Sequence, residues 1–328
     1  MPLIDPSSYQ APRLLRDGHA MTVYPTLSRR VGGVSYERER LELADGDFLD
    51  LDRSRVGADR VVVVSHGLEG HSRRAYVLGM VREFNRAGWD AVAWNFRGSS
   101  GEQNRLLAFT HSGASQELGE VVEWAAGTAG YRTVAMVGFS LGGNLTLKYL
   151  GERGTNLPGA VRCGVAYSVP CDLRGSAETM AAGGNRIYMS RFLSDLKVRM
   201  EAKSRQFPGR ISLEGYGEVR TFREFDGRYT APLHGFRDAE DYWERSSSAR
   251  YLTGIRIPTL LVNALDDPFL SEGCYPRDIA AASEWLHLET PSHGGHVGFV
   301  STGGDGEYWS ERRAVEFASA VVGGGPQK

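Results

Sequence analysis

Apolar and polar positions alternate with a two-residue period near the start of the chain. Residues 37–53, ERERLELADGDFLDLDR, alternate in this way on both sides of Asp45 and Gly46. An Asp-Gly pair favours the tight turn between antiparallel strands, because glycine accepts the positive φ that such a turn needs. The pattern therefore predicts a β-hairpin.

Beyond the hairpin, apolar runs alternate with amphipathic stretches. The apolar runs predict buried strands at 60–67, 90–98, 133–140, 160–170, 255–265 and 284–290. The stretches with helical periodicity are 76–88, 116–127 and 141–152. Strands that alternate with helices predict an α/β fold with a mostly parallel central sheet and helices on both faces.

The alternation stops after Pro170 and resumes at Ile255. We therefore expect two segments of one core, residues 1–170 and 255–328, separated by a helical insertion, or cap, at 171–254. The insertion should lie over the carboxyl edge of the sheet.

One helix predicted in the insertion, at 185–203, carries an apolar stripe. Its members are Met189, Phe192, Leu193, Leu196 and Met200. Such a stripe usually packs on a core, and one end of the same helix can also line a substrate cavity.

A serine follows directly after one of the predicted strands. The pentapeptide 138–142, GFSLG, has the spacing G-x-S-x-G, which is weak evidence by itself in a chain with 41 glycines. Here it lies where an apolar strand turns directly into a helix. Such a turn strains the backbone of the serine, and flanking glycines relieve contacts with neighbouring chain. Ser140 is therefore the candidate nucleophile.

Aspartates and histidines that could activate Ser140 follow it along the chain. A serine hydroxyl needs a base and a group that orients the base, and in a fold of this kind the acid precedes the base. Asp266 and Asp267 follow one predicted strand, and His293 and His296 follow the next. Ligand sites of open α/β sheets lie at such strand ends.

The two histidines could instead bind a metal ion. Their glycine-rich stretch, 291–299, lacks the helical pair and the acidic partner of a hydrolytic zinc motif. No predicted strand is followed by the G-x-G-x-x-G pattern of dinucleotide sites. We therefore expect neither a metal nor an organic cofactor.

Several stretches resemble signatures of one protein family. HGLEGHSRRAY, NFRGSSGEQNR, GFSLGGN, NALDDPF and HGGHVGF are similar, in this order, to stretches of the YheT-like (embryogenesis-associated) family of α/β-hydrolases. The similarity extends from about residue 9 to residue 320. It implies an α/β-hydrolase fold with a serine esterase activity and medium-chain or lipid-like acyl esters as substrates.

The resemblance also implies roles for the acid and the base. His296 corresponds to the base of the family, whereas His293 would order the loop and stays a second candidate. Asp267 fits the family pattern, and Pro268 restricts the backbone of Asp267 to extended geometry. Asp266, the alternative acid, would tie down the turn through its own backbone.

Backbone N–H groups are expected to stabilise the negative charge that acyl transfer places on a carbonyl oxygen. One is that of Leu141, directly after the nucleophile, and the resemblance assigns the other to Leu68. Gly67 and Gly70 would let the chain approach closely there, although the same glycines also suit a plain tight turn.

Other residues are candidates for contact with the substrate or for support of the site: Gly67, Phe139, Arg97, Asp266 and His293. Arg97, with Asn104 and Arg105, would either contact a polar head group or clamp its loop, and clamping is the favoured interpretation. Four histidines are assigned no chemical role: His66, His71, His111 and His234.

Composition limits the partners. The formal net charge of −2 on 328 residues gives no general attraction to nucleic acids or anionic membranes, so a small-molecule ester is the expected partner. Three widely spaced cysteines suit a reducing compartment. The sequence has neither a leader-like start nor an apolar stretch of membrane-spanning length, so we expect a cytoplasmic protein.

Two other functions would use the same residues. Acyl transfer to an alcohol could intercept the same acyl-enzyme where water is excluded. A binding protein could retain the fold without turnover. Hydrolases with an aspartate nucleophile do not fit, because Ser140 occupies the position of the nucleophile.

Overall fold

In the computed structural model, which describes residues 2–301 and 306–324, one twisted sheet forms the centre of the protein. Its strands are β1 (Leu3–Ile4), β2 (Glu37–Glu42), β3 (Phe48–Ser54), β4 (Arg60–Ser65), β5 (Asp90–Asn95), β6 (Thr133–Phe139), β7 (Val161–Tyr167), β8 (Thr259–Val262) and β9 (Leu286–Glu289). They lie in the order β1-β9-β8-β7-β6-β4-β5-β3-β2. Within the described residues, the pairs β5-β3 and β3-β2 are antiparallel and the other six pairs are parallel. The predicted α/β fold with a mostly parallel sheet is confirmed, and so is the hairpin, which pairs β2 with β3.

Helices cover both faces of this sheet, and several fall within residues 171–254, where the sequence predicts an insertion. They are α1 (Gly18–Ser28), α2 (Ala75–Arg86), α3 (Ser115–Glu123), α4 (Leu141–Arg153), α5 (Leu173–Ala181), α6 (Arg186–Gln206), α7 (Phe222–Phe225), α8 (Ala231–Leu233), α9 (Ala239–Ser246), α10 (Arg277–Ala281) and α11 (Trp309–Val322). Along the chain, the helices α5 to α9 all follow β7 and precede β8.

Strand β4 shows why the strands of this sheet have continuously apolar sequences. Its side chains alternate between two apolar cores, with Val61 and Val63 in one and Val62 and Val64 in the other. All four valines are fully buried. A strand covered on both faces needs apolar residues at every position, so the run predicts a parallel sheet with helices on both sides.

The apolar stripe of α6 lies in a third cluster, apart from these two cores. Met189, Leu193, Leu196 and Met200 are buried there with apolar residues of the segment 211–229. Phe109 and Phe269, from loops at the carboxyl ends of β5 and β8, belong to the same cluster. The stripe therefore packs the helices of the insertion against each other and against these loops.

Candidate active site

Ser140 occupies the sharp turn between β6 and α4. Its backbone has φ 52° and ψ −118°, a strained conformation for a residue with a Cβ. A Cβ added at Gly138 would lie 2.3 Å from the carbonyl oxygen of Gly142, and one added at Gly142 would lie 2.4 Å from that of His66. The flanking glycines are therefore required by the close approach of the chain, as the strand-turn-helix pattern predicts.

Ser140, His296 and Asp267 are joined by hydrogen bonds. The Oγ of Ser140 is 3.0 Å from Nε2 of His296, and Nδ1 of His296 is 2.9 Å from Oδ2 of Asp267. The side chain of Asp267 is fully buried, and its Oδ1 accepts the backbone N–H of Phe269 at 2.9 Å. The ring of Phe269 lies 4.3 Å from that of His296. The imidazole is thus held between the hydroxyl and the carboxylate.

Two hydroxyl side chains position the loop that carries His296. Thr22 of α1 accepts the backbone N–H of His296 at 2.8 Å, and Ser168, which follows β7, accepts that of Val297 at 2.9 Å. Gly295 adopts a positive φ of 55°, and a Cβ there would lie 2.6 Å from the carbonyl oxygen of Gly18. The helix α1, which carries no clear apolar stripe in the sequence, therefore forms part of the support of the site.

The neighbouring pair, Asp266 and His293, lies beside this arrangement. Oδ2 of Asp266 is 3.4 Å from Nδ1 of His293, and Oδ1 of Asp266 accepts the N–H of Gly295 at 2.9 Å. Burial raises the pKa of Asp266. The expectation that Asp266 binds the backbone of its own turn is wrong, because its side chain holds the opposite loop.

The loop after β4 brings Gly67 and Leu68 next to Ser140. A Cβ added at Gly67 would lie 3.3 Å from the Cβ of Ser140. The next residue, Glu69, has a positive φ of 50°, and its carboxylate pairs with Arg199 of α6 at 2.9 Å. The insertion therefore holds this loop by an ion pair that sequence reasoning missed.

His66, at the start of the same loop, is a neutral structural side chain. Burial lowers its pKa to about 3. Its Nε2 accepts the backbone N–H of Phe96 at 3.2 Å, which places the proton on Nδ1, 2.8 Å from the carbonyl oxygen of Gly67. The imidazole thus fastens the β4 loop to the β5 loop.

Arg97 clamps loops and does not face the site. Its guanidinium contacts Glu117 at 2.7 Å, Asp47 at 2.9 Å and Asp45 at 2.8 Å. Asn104 also donates to Asp47, at 2.6 Å. These carboxylates satisfy the donors of Arg97, so the contacts agree with the favoured interpretation that Arg97 clamps its loop and not with the alternative of a head-group contact.

The site opens into a partly open, mostly apolar cavity of about 130 Å³. Among the described residues its walls include Ser140, Leu141, His296 and Leu68, as expected for a site at these strand ends. Five predicted candidates are not part of the wall: Gly67, Phe139, Arg97, Asp266 and His293. Phe139, for example, is buried in the core between Tyr76 and Tyr167. Its assignment as a substrate-contact candidate is corrected accordingly.

Most of the remaining wall comes from the insertion and from the segment 109–112. Its apolar side chains include Phe109, Leu173, Met180, Phe192, Leu196, Phe222, Phe225 and Trp243. Polar groups also reach the wall, among them His111 and Asp226. Burial lowers the pKa of His111 well below its ordinary value, so this imidazole is neutral. Sequence reasoning assigned no role to either side chain.

Asp226 is a carboxylate buried in this wall. Its oxygens accept hydrogen bonds from the Thr230 hydroxyl at 2.6 Å and from Nε1 of Trp243 at 2.8 Å. Burial nevertheless raises its pKa from 3.8 to about 6. The folded protein therefore carries a charge near neutral pH that its surroundings disfavour.

This raised pKa makes a prediction about stability. The protonated form of Asp226 favours the folded state, and that advantage is complete below about pH 4 and lost as the pH rises through about 6. We expect Asp226→Asn to raise the free energy of unfolding by on the order of 1–3 kcal/mol above neutral pH and by little near pH 4. Urea unfolding of both proteins across this pH range measures the difference in the free energy of unfolding.

The control is Asp278→Asn, at an exposed position of α10. This variant should not gain stability as the pH rises through about 6. An equal increase in the free energy of unfolding of Asp226→Asn at every pH would contradict the prediction.

No helix within residues 2–301 and 306–324 combines the length and the apolar character that crossing a membrane requires.

Comparisons with known proteins agree on the fold. The sequence profile of the family described as alpha/beta hydrolase fold matches residues 60–301. YheT, a candidate esterase of Escherichia coli (strain K12), is 36% identical over 313 residues, which cover 93% of this chain and 91% of YheT. Phospholipase ABHD3 of Bos taurus is 29% identical over 278 residues, 81% of this chain and 67% of that protein. Among solved structures, the Pyrococcus furiosus esterase Pf2001 has a TM-score of 0.61 at 14% identity, covering 96% of this chain and 100% of that chain.

Proposed function

The chain belongs to the α/β-hydrolase fold family, and we propose that it is a serine esterase that cleaves carboxylic esters with apolar acyl chains. The observation that carries this proposal is the continuous hydrogen-bonded series from Asp267 through His296 to Ser140 at the wall of an apolar cavity. Related proteins with esterase or phospholipase names support an ester as the substrate class.

In the proposed reaction, Ser140 attacks the acyl carbonyl while Nε2 of His296 takes its proton. The same imidazole then donates that proton to the leaving alcohol, which leaves an acyl-enzyme on Ser140. Water repeats the sequence and releases the acid. Asp267 accepts a hydrogen bond from the Nδ1–H of His296 throughout, so it fixes the tautomer and stabilises the imidazolium.

The backbone N–H groups of Leu68 and Leu141 are proposed to bind the oxyanion. Leu141 begins α4, so its N–H is at the positive end of the helix dipole. Leu68 lies between Gly67, which is next to Ser140, and Glu69, which pairs with Arg199. Donors held in this way before the substrate binds need no reorganisation during the reaction.

We also propose that residues 171–254 act as the cap of this enzyme, between core segments 1–170 and 255–328. The cap provides the apolar wall that would hold the acyl chain. Among its residues Phe192 and Leu196 of α6 line the cavity, and Arg199 of the same helix contacts the loop of the proposed oxyanion site. Medium-chain or lipid-like acyl esters are the substrates that such a wall favours.

Labelling with a fluorophosphonate tests the proposal, since this reagent bonds to activated serines. We expect the label on Ser140 and on no other serine, together with hydrolysis of p-nitrophenyl octanoate in preference to the acetate ester. Mass spectrometry of the labelled peptides identifies the position.

Other serines of the same cavity provide the controls for this labelling. Ser112→Ala and Ser176→Ala should both keep the label, because no hydrogen bond joins either hydroxyl to an imidazole within the described residues, whereas Ser140→Ala should lose it. Label on Ser112 or Ser176, or absence of both label and hydrolysis in folded protein, would refute the esterase proposal.

A further inference from the structure

We propose that the cavity has a second recognition point, formed by Asp226 and the aromatic residues around it, which binds a positively charged nitrogen of the substrate. This inference rests on the proposed esterase function, since it describes the substrate of the same cavity. The proposed ligand group is the protonated nitrogen of an amine.

The first observation is the set of partners of Asp226. Among the described residues its carboxylate accepts hydrogen bonds only from neutral donors, the Thr230 hydroxyl and the Trp243 indole N–H. A carboxylate can accept about four hydrogen bonds. Two accepting positions are therefore left at a point where the carboxylate lines the cavity.

The second observation is that Asp226 forms no ion pair with any described residue. Arg223 is a cationic side chain near this group, and its guanidinium lies 5.1 Å from the centre of the Trp243 ring. Arg223 pairs with Glu178 and Glu240, which are its acidic partners, and not with Asp226. Buried carboxylates are ordinarily paired with a cation, so the charge of Asp226 lacks its usual partner.

Imidazoles near this part of the cavity do not provide the missing charge. Burial lowers the pKa of His111 well below its ordinary value and that of His234 to about 4. Both rings are therefore neutral near neutral pH. Neither imidazole therefore compensates the charge of Asp226.

The third observation is the aromatic wall around the carboxylate. Trp243, Tyr242, Phe222 and Phe225 line the same cavity as Asp226. Aromatic rings attract cations through their negative faces, and together with a carboxylate they are the usual elements of an ammonium site. A purely alkyl ligand would use the rings and leave the carboxylate without a partner.

Competition by small amphiphiles tests the inference without assuming which end of the ester reaches Asp226. Hexylammonium and 1-hexanol have the same alkyl chain and differ in charge at the head. With p-nitrophenyl octanoate as the reporter substrate, we expect hexylammonium to inhibit at a concentration about tenfold or more below that of 1-hexanol, as a charge-assisted hydrogen bond with aromatic contacts would give. Asp226→Asn should abolish this difference between the inhibitory concentrations of the two probes.

The control variant is Glu244→Gln, which removes one negative charge at an exposed position of α9 that pairs with Arg250 and lies outside the cavity wall. It should keep the preference for hexylammonium, so a loss there would indicate a long-range charge effect and overturn the assignment to Asp226. Equal inhibition by the two probes in the wild-type protein would also overturn it. Stronger inhibition by 1-hexanol than by hexylammonium, if Asp226→Asn abolished it, would overturn the proposed cation and indicate that Asp226 binds a hydroxyl group of the ligand.

Direct binding keeps this test separate from the proposed esterase function. Calorimetric titration of hexylammonium into Ser140→Ala protein requires no turnover, and we expect binding there that Asp226→Asn abolishes. Hydrolysis and labelling of Ser140 without selective binding would refute the second recognition point alone. Selective binding without hydrolysis or labelling would refute the esterase proposal and leave the Asp226 site standing.

Discussion

Replacing Ser140 with alanine is expected to lower kcat/KM for ester hydrolysis by about 10⁴- to 10⁶-fold. The variant removes the atom that forms the acyl-enzyme, so the remaining rate would come only from the N–H groups of Leu68 and Leu141 and from binding. Alanine keeps the Cβ of Ser140, so the backbone at φ 52° experiences no new contact. Initial rates with p-nitrophenyl octanoate measure the loss.

The matched control for this variant is Ser112→Ala. Ser112 lines the same cavity, but its backbone N–H is the group that bonds to Tyr242, at 2.9 Å. Truncating its hydroxyl should therefore leave kcat/KM within about threefold, since a surface or wall change away from the reacting atoms costs little. Undiminished hydrolysis by folded Ser140→Ala protein, with thermal unfolding like that of the wild type, would exclude an acyl-enzyme on this serine.

Ser140 is predictable from the sequence because its signal is local. The strand β6, the glycines at 138 and 142 and the helix α4 are consecutive, so the pattern itself describes the turn. The same holds for β4, where a run of valines indicates a strand that is covered on both faces. Local periodicity fixed the sheet class and the order of its elements.

The support of His296 could not be predicted in this way. Thr22 lies 274 positions before His296 and contacts it only because α1 packs across the end of the sheet. In α1 only Gly18 and Met21 are buried, and Pro25 lies inside the helix, so no apolar stripe marks the segment. Its start is set by Asp17, whose side chain accepts the N–H of Ala20 at 2.8 Å.

The polar end of the cavity is hidden from sequence reasoning for a related reason. The hydrogen-bond partners of Asp226 are Thr230 and Trp243, which lie on two different helical segments within residues 171–254. A single aspartate in FREFDGRYT has the appearance of an exposed residue. Its burial depends on how α7, α9 and the segment 109–112 pack together, which no periodicity encodes.

His296→Ala is the second variant for which we expect a large effect, a loss of about 10⁴- to 10⁶-fold in kcat/KM. Without the imidazole, Ser140 has no acceptor for its proton, and Asp267 is left as a buried carboxylate without its partner. Because the two side chains act as a unit, the double variant with Ser140→Ala should lose no more than either single variant. Summed losses in the double variant would show that the two residues act independently.

His293→Ala is the matched control, because it removes an imidazole three positions away that also faces a carboxylate. The side chain of His293 is 37% exposed and pairs with Asp266, whereas that of His296 is 11% exposed and lies between Asp267 and Ser140. Asp266 keeps its bond to the N–H of Gly295 in the variant, so the loop should retain its geometry. We therefore expect a loss of less than about tenfold for His293→Ala, in the range of exposed pairs. A larger loss for His293→Ala than for His296→Ala would move the base to His293, and the hydrogen bond from Ser140 to His296 would then need another explanation.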